Sequence, residues 1–177
     1  TVAHVEDILL SGELGDLRWF RDKLLEKYEF KVQVAGWGRE DDKELSFIRK
    51  VIRLTATGRE LEGDDKHVGL LEEEWGMTNC NPLPIPYVKP SAFIRSSVGE
   101  AEAKTMSPAD ATLYSWAAAR ISYVALDRPD LSFASRAASS CMSNPKEGDD
   151  EVIKRIIRYL KGKPRVAIRY KFQEESE

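Results

Sequence analysis

The sequence predicts an α+β fold, with a small antiparallel sheet in its first third and packed helices in its second half. Three observations carry this. Up to about residue 62, short runs of β-rich or alternating apolar residues are punctuated by turn residues. Beyond residue 107, apolar residues recur every three or four positions. Between these stretches, Pro82, Pro84, Pro86 and Pro90 mark an extended segment that no helix can cross.

Each element follows in order. Residues 1–12 place Val2, Ala3 and Val5, then Glu6-Asp7, then Ile8-Leu9-Leu10, ahead of Ser11-Gly12, which predicts a tight hairpin with carboxylates at its tip. Asp16 stands before Leu17, Phe20, Leu24 and Tyr28, the spacing of a capped helix. Phe30 to Val34 alternates like a strand, and Gly36 to Asp42 is a polar loop. Leu45 to Leu54 predicts a second strand, with Arg59 to Glu62 as its partner across Thr57-Gly58. Asp64-Asp65 opens a helix carrying Val68, Leu71 and Trp75 and ending near Gly76.

Residues 91–106 read as a mobile loop. Ser107-Pro108-Ala109-Asp110 starts a helix with Leu113, Trp116, Ala117, Ile121 and Val124 on its inner stripe. Asp127-Arg128-Pro129-Asp130 breaks it, with an internal Arg128–carboxylate pair, and a second helix runs from Leu131 to Met142. A last helix from about Asp149 to Lys161 buries Ile153, Ile156, Ile157 and Leu160. Val166 to Phe172 then alternates like a strand. The predicted division is 1–64, 65–90, 91–106 and 107–177.

The 177 residues carry 27 basic and 30 acidic side chains, a net charge of −3, so a global basic excess is excluded as an argument for nucleic-acid binding. Two cysteines, Cys80 and Cys141, make no disulfide scaffold. No apolar run approaches the roughly 20 residues of a membrane span. His4 and His67 show no metal-ligand spacing to either cysteine, and Trp19, Trp37, Trp75 and Trp116 read as core or half-buried anchors. The opening Thr1-Val2-Ala3-His4 lacks an initiator Met and reads as part of a longer polypeptide.

Two features can carry chemistry. Glu6-Asp7 puts two mutually repelling carboxylates on one turn, an arrangement that a divalent cation relieves and that solvent also tolerates. From Val152 to Phe172 there are eight cations, Lys154, Arg155, Arg158, Lys161, Lys163, Arg165, Arg169 and Lys171, and no acid. The first four share the polar face of the last helix. Such a face can track a phosphate backbone, with Tyr159 or Tyr170 touching sugars or bases, or it can simply be solvated.

Together these stretches resemble the copia-type retrotransposon reverse transcriptases. Ala3 to Gly12 is similar to that family's aromatic-Val-Asp-Asp-Ile-Leu-Leu-x-Gly motif. Lys66-His67-Val68 through Trp75-Gly76-Met77, Asn81-Pro82 and Ile85-Pro86 resembles the stretch after its palm. Asp127-Arg128-Pro129-Asp130-Leu131-Ser132-Phe133 looks like its Thr-Arg-Pro-Asp-Ile-x-Phe signature. Asn144-Pro145 and Ile156 to Gly162 look like its Pro and Arg-Tyr-Leu-Lys-Gly elements.

The resemblance implies a partial palm with a catalytic hairpin, then a helical thumb and connection. The activity implied is RNA-directed DNA synthesis by two-metal nucleotidyl transfer. Glu6 and Asp7 would be ligands of magnesium (or manganese), and Lys154, Arg155, Arg158, Lys161, Lys163 and Arg165 would hold nucleic acid. The implied partners are an RNA template, a DNA primer, deoxynucleotides and the rest of a Pol polyprotein, with fingers upstream and ribonuclease H downstream. The implied place is the retroelement particle in the cytoplasm, or the nucleus. No membrane is implied. The alternative is a decayed or repurposed copy that only binds nucleic acid or plays a structural part. His4 replaces the motif's aromatic, Glu6 its first Asp, and Arg49 the glycine of Phe-Leu-Gly. The family places a further carboxylate upstream of the hairpin. The chain alone is therefore not expected to polymerise.

Overall fold

The computed structural model describes residues 1–63, 66–88 and 104–173. It is α+β, with six strands and five helices among those residues. Two units are distinguished: Thr1–Glu62 together with the chain from Arg169, and Gly63–Ile168.

The first unit begins with the expected hairpin. β1 (Val2–His4) pairs antiparallel with β2 (Asp7–Leu9), from Val2 opposite Leu9 to His4 opposite Asp7. The turn is therefore two residues, Val5 and Glu6. Val5 lies at φ +52°, a region that β-branched residues rarely enter. Helix α1 (Leu14–Leu25) starts earlier than expected, because the Glu13 carbonyl accepts from the Leu17 amide and leaves Asp16 in the first turn. It stops before Tyr28.

The strand expected at Phe30 to Val34 does not form. Its alternation is genuine, but only isolated backbone bonds join it to a neighbour, such as the Asp42 amide donating to Val34 at 3.0 Å. The single strand expected from Leu45 to Leu54 is instead a hairpin of β3 (Glu44–Phe47) and β4 (Lys50–Thr55). Ile48 and Arg49, at φ +50° and +59°, form its turn. Two left-handed residues give the turn whose twist matches paired strands.

β5 (Gly58–Glu62) continues the sheet and β6 (Ala167–Lys171) takes its far edge, in the order β3-β4-β5-β6. Gly58 is obligatory there: a Cβ would lie 2.1 Å from the Tyr170 carbonyl oxygen. Arg53 bridges three strands, pairing with Glu44 at 2.5 Å and with Glu62. The hydrogen bond to Glu62, then that to Glu44, raises its pKa. Among the described residues of this unit only Gly58 and Glu62 are buried.

The second unit holds the hydrophobic core. α2 (Lys66–Glu74), α3 (Pro108–Val124), α4 (Ser132–Ser139) with the turn before it, and α5 (Asp150–Gly162) bury Leu71, Tyr114, Ile121, Leu131, Ile153, Ile156, Ile157 and Leu160 completely. α3 starts as expected: the Asp110 amide donates to Ser107 Oγ at 3.2 Å, and Pro108 needs no partner at the first turn. Gly76, at φ +62°, follows α2 as expected. A 3-10 turn at Pro129–Leu131 leads into α4, which ends short of Met142. There the Ser140 hydroxyl donates to the Ala137 carbonyl and competes with further helix.

Trp75 and Trp116 pack on the core, whereas Trp19 and Trp37 are exposed and not the anchors expected. The expected helix opening at Asp64-Asp65, Pro90, and the loop 91–106 up to residue 103 lie outside the described residues. No helix among those described is long and apolar enough to cross a membrane.

Candidate functional site

The hairpin places Glu6 in the turn itself and Asp7 at the first position of β2. Both are exposed, as are all residues from Thr1 to Ile8. The pair thus stands on an open turn, with solvent access from either side. Magnesium takes six oxygen ligands and accepts one or two protein carboxylates when substrate phosphates supply more. A two-metal centre needs carboxylates to bracket both ions. Among the described residues no group of three His, Cys, Asp or Glu could hold a metal ion. Glu6 and Asp7 are the right donor type in insufficient number, so the set does not fit a resident two-metal centre.

The cations of α5 are largely engaged within the second unit. Lys154 Nζ bonds Asp150 at 2.7 Å and Glu151 at 2.9 Å, one turn back on the same helix. Those hydrogen bonds, Asp150 first, hold its pKa above the usual lysine value. Arg155 is half-buried and its Nε has no hydrogen-bond partner. Arg158 Nε donates to the Asn81 carbonyl at 2.7 Å. Lys161 Nζ donates to Glu72 at 3.3 Å and also to the Thr78 carbonyl. Lys163 is exposed, its Nζ 5.3 Å from the Tyr159 ring centre. Arg165 is exposed and has partners. The acid-free run is therefore no row of free cations: the acceptors of Lys154, Arg158 and Lys161 come from α2, from the residues after it and from the first turn of α5, and Arg169 pairs with Glu60 of β5.

Tyr159 is not available to a sugar or base. It is 4% exposed, and its hydroxyl donates to Asp130 at 2.7 Å. Arg128, 5% exposed, donates from Nε and Nη2 to the same carboxylate at 3.0 and 2.8 Å. Its Nη1 donates to the Lys163 carbonyl at 3.0 Å, just past the end of α5. Burial alone would raise the Asp130 carboxyl. The hydrogen bonds from Arg128 and Tyr159 outweigh it and hold the pKa below the usual carboxylate value. Burial, then the bond to Asp130, pushes the Tyr159 phenol up.

One further approach binds the same helix. A Cβ on Gly162 would sit 2.9 Å from Pro82 Cβ, and the Leu83 amide donates to the Arg158 carbonyl at 3.1 Å. The Asn81-Pro82, Arg128-Pro129-Asp130 and Arg158-Tyr159-Leu160-Lys161-Gly162 elements thus meet around the C-terminal half of α5.

The chain is 32% identical over 159 residues to the uncharacterized mitochondrial protein AtMg00810 of Arabidopsis thaliana. It has a plant relative. The match takes in 90% of this chain and 60% of that protein. No family model and no solved structure matches.

Sequence reading found the Arg128–carboxylate pair but missed Tyr159 and the Lys163 carbonyl as its other partners. A signal existed. Tyr159 lies between Ile156, Ile157 and Leu160 on α5, and a tyrosine so placed is buried and needs a partner for its hydroxyl. Nothing in the sequence marks the carbonyls of Thr78 and Asn81 as acceptors.

Proposed function

We propose that this chain is a retroelement-derived segment, corresponding to part of the palm and thumb of a copia-type reverse transcriptase, and that it does not polymerise by itself. The assembly around α5 supports this reading most. Three motifs that carry the resemblance, separated by tens of residues, touch one another through Asn81, Pro82, Arg128, Asp130, Arg158, Tyr159 and Gly162. A chance set of short matches would have no reason to interlock. The acid-tipped hairpin adds to it.

In this reading the intact parent copies RNA, and this chain supplies part of the carboxylate turn and a nucleic-acid-facing thumb. The exposed first unit, with no buried apolar side chain among its described residues, is suited to being covered by more of a Pol polyprotein. Primer extension on an RNA template with magnesium or manganese tests the claim for the chain alone. The expected result is no synthesis. Sustained extension would show that Glu6 and Asp7 suffice and would remove the proposal.

The second reading, a decayed or repurposed structural or nucleic-acid-binding module, is favoured by Glu6 and His4 at the motif positions, and its structural form by the engaged cations of α5. Placing Tyr at position 4 and Asp at position 6 in a longer polypeptide containing the chain separates the two. A large gain in synthesis marks this copy as decayed. High activity without the changes marks it as a working polymerase that tolerates Glu6.

A further inference from the structure

The segment from Thr78 to Leu83 lies against the C-terminal half of α5 and takes up two of its cations. The Thr78 carbonyl accepts from Lys161 and the Asn81 carbonyl from Arg158. The Leu83 amide returns a bond to the Arg158 carbonyl, and Pro82 sits where a side chain at Gly162 would be. With Pro82 inside it and Pro84 and Pro86 just beyond, all lacking amide hydrogens, the segment can neither join a ladder nor coil into a helix. Among the described residues, these bonds tie it to α5.

The acceptors matter. Apart from the Glu72 carboxylate on Lys161, the groups holding Arg158 and Lys161 are neutral backbone carbonyls. A phosphate oxygen is a charged acceptor, and hydrogen bonds between charged partners are roughly twice as strong as neutral ones. A phosphate backbone arriving at α5 would therefore compete well for the same donors.

We propose that residues 78–83 act as an autoinhibitory strap, which keeps Arg158 and Lys161 from nucleic-acid phosphates until it is displaced. The proposal rests on the nucleic-acid reading above and adds regulation to it. The first release variant is Gly162→Ala, whose methyl group collides with Pro82. The second is Leu83→Pro, which deletes the amide bonded to Arg158 without altering α5. Circular dichroism reports whether each is folded. The probe is a fluorescein-labelled RNA–DNA hybrid, titrated by anisotropy at several salt concentrations.

The expected result is that folded release variants bind about tenfold tighter than the parent at low salt, with a salt slope steeper by about two phosphate contacts. Adding Arg158→Gln and Lys161→Gln to either release variant returns both quantities to the parent's. In the unaltered protein, saturating hybrid speeds hydrogen exchange at the Leu83 amide. Three results overturn the strap. Folded release variants bind no tighter, or Arg158→Gln alone already weakens the parent, or the Leu83 amide keeps its protection in the complex. The second leaves the nucleic-acid reading standing. Absence of binding by parent and variants alike removes that reading, and the strap with it.

Discussion

Arg49 occupies a backbone position that glycine would enter without penalty. At φ +59° an L side chain crowds its own carbonyl, at about 1 kcal/mol or more per residue. The resemblance places a glycine at this very position, so the departure carries a conformational cost. Arg49→Gly is expected to stabilise the β3–β4 hairpin by about 0.5–1 kcal/mol, read as slower hydrogen exchange of the Phe47 and Lys50 amides. Val5 stores strain of the same kind. Arg128 shows the opposite situation, a buried charge whose three guanidinium nitrogens each donate a hydrogen bond. Arg128→Met leaves the Lys163 carbonyl without this donor and Asp130 with Tyr159 but no cation, and is expected to cost about 3 kcal/mol in urea denaturation. Asp130→Asn keeps the shape and an acceptor for Tyr159, and the expected loss is smaller, about 1–2 kcal/mol. Equal losses would show that the charge on Asp130, and not the geometry, holds the group together.

At the scale of elements, pH dependence follows from Asp130 and Tyr159, which join the turn before α4 to α5. Unfolded Asp titrates near 3.9 and Asp130 lies lower when folded, so its contribution is fully present above about pH 4. It is lost as pH falls through the folded value. Tyr159 is raised, so its contribution holds below about pH 10 and fades as pH rises further. The denaturation midpoint of Asp130→Asn should therefore vary less than the parent's below about pH 4, and a parallel course would show that the acid loss arises elsewhere. Helix starts and stops were legible where a local signal sets them, as at Ser107, Pro108 and Gly76. Strands were less so. Alternation at Phe30 to Val34 says which side chains share a face but not whether a neighbouring strand exists, and the turn at Ile48-Arg49 lacks the Gly or Asn that announces one.

For the whole molecule, the division of burial is uneven. The buried apolar side chains all belong to residues 68–160, and none of the first unit's described apolar residues joins them. Burying a Leu or Ile is worth about 1.5–3 kcal/mol, so the second unit has by far the larger driving force for folding. Limited proteolysis should clip the chain before residue 63 first and leave the helical unit as a persistent fragment. Clipping within α3 or α5 at comparable rates would contradict this. The candidate site divides the same way. The carboxylate turn was legible because a two-residue turn is a local event. The fate of Arg158 and Lys161 was not, because their acceptors lie 77 to 89 positions away in the chain and two of them are backbone carbonyls.

The strand order has a consequence for how this polypeptide is made. β6 is the last of the described strands to be synthesised, yet it lies beside β5, which leaves the ribosome about a hundred residues sooner. A nascent chain that has just released Lys163 can already close Arg128 and Tyr159 upon one another, while the edge at Gly58 still waits for Tyr170. Within this stretch the sheet is thus completed after the helices, and a message cut off near the codon for Arg165 would yield a product with its helices assembled and an unprotected sheet margin open to unwanted pairing.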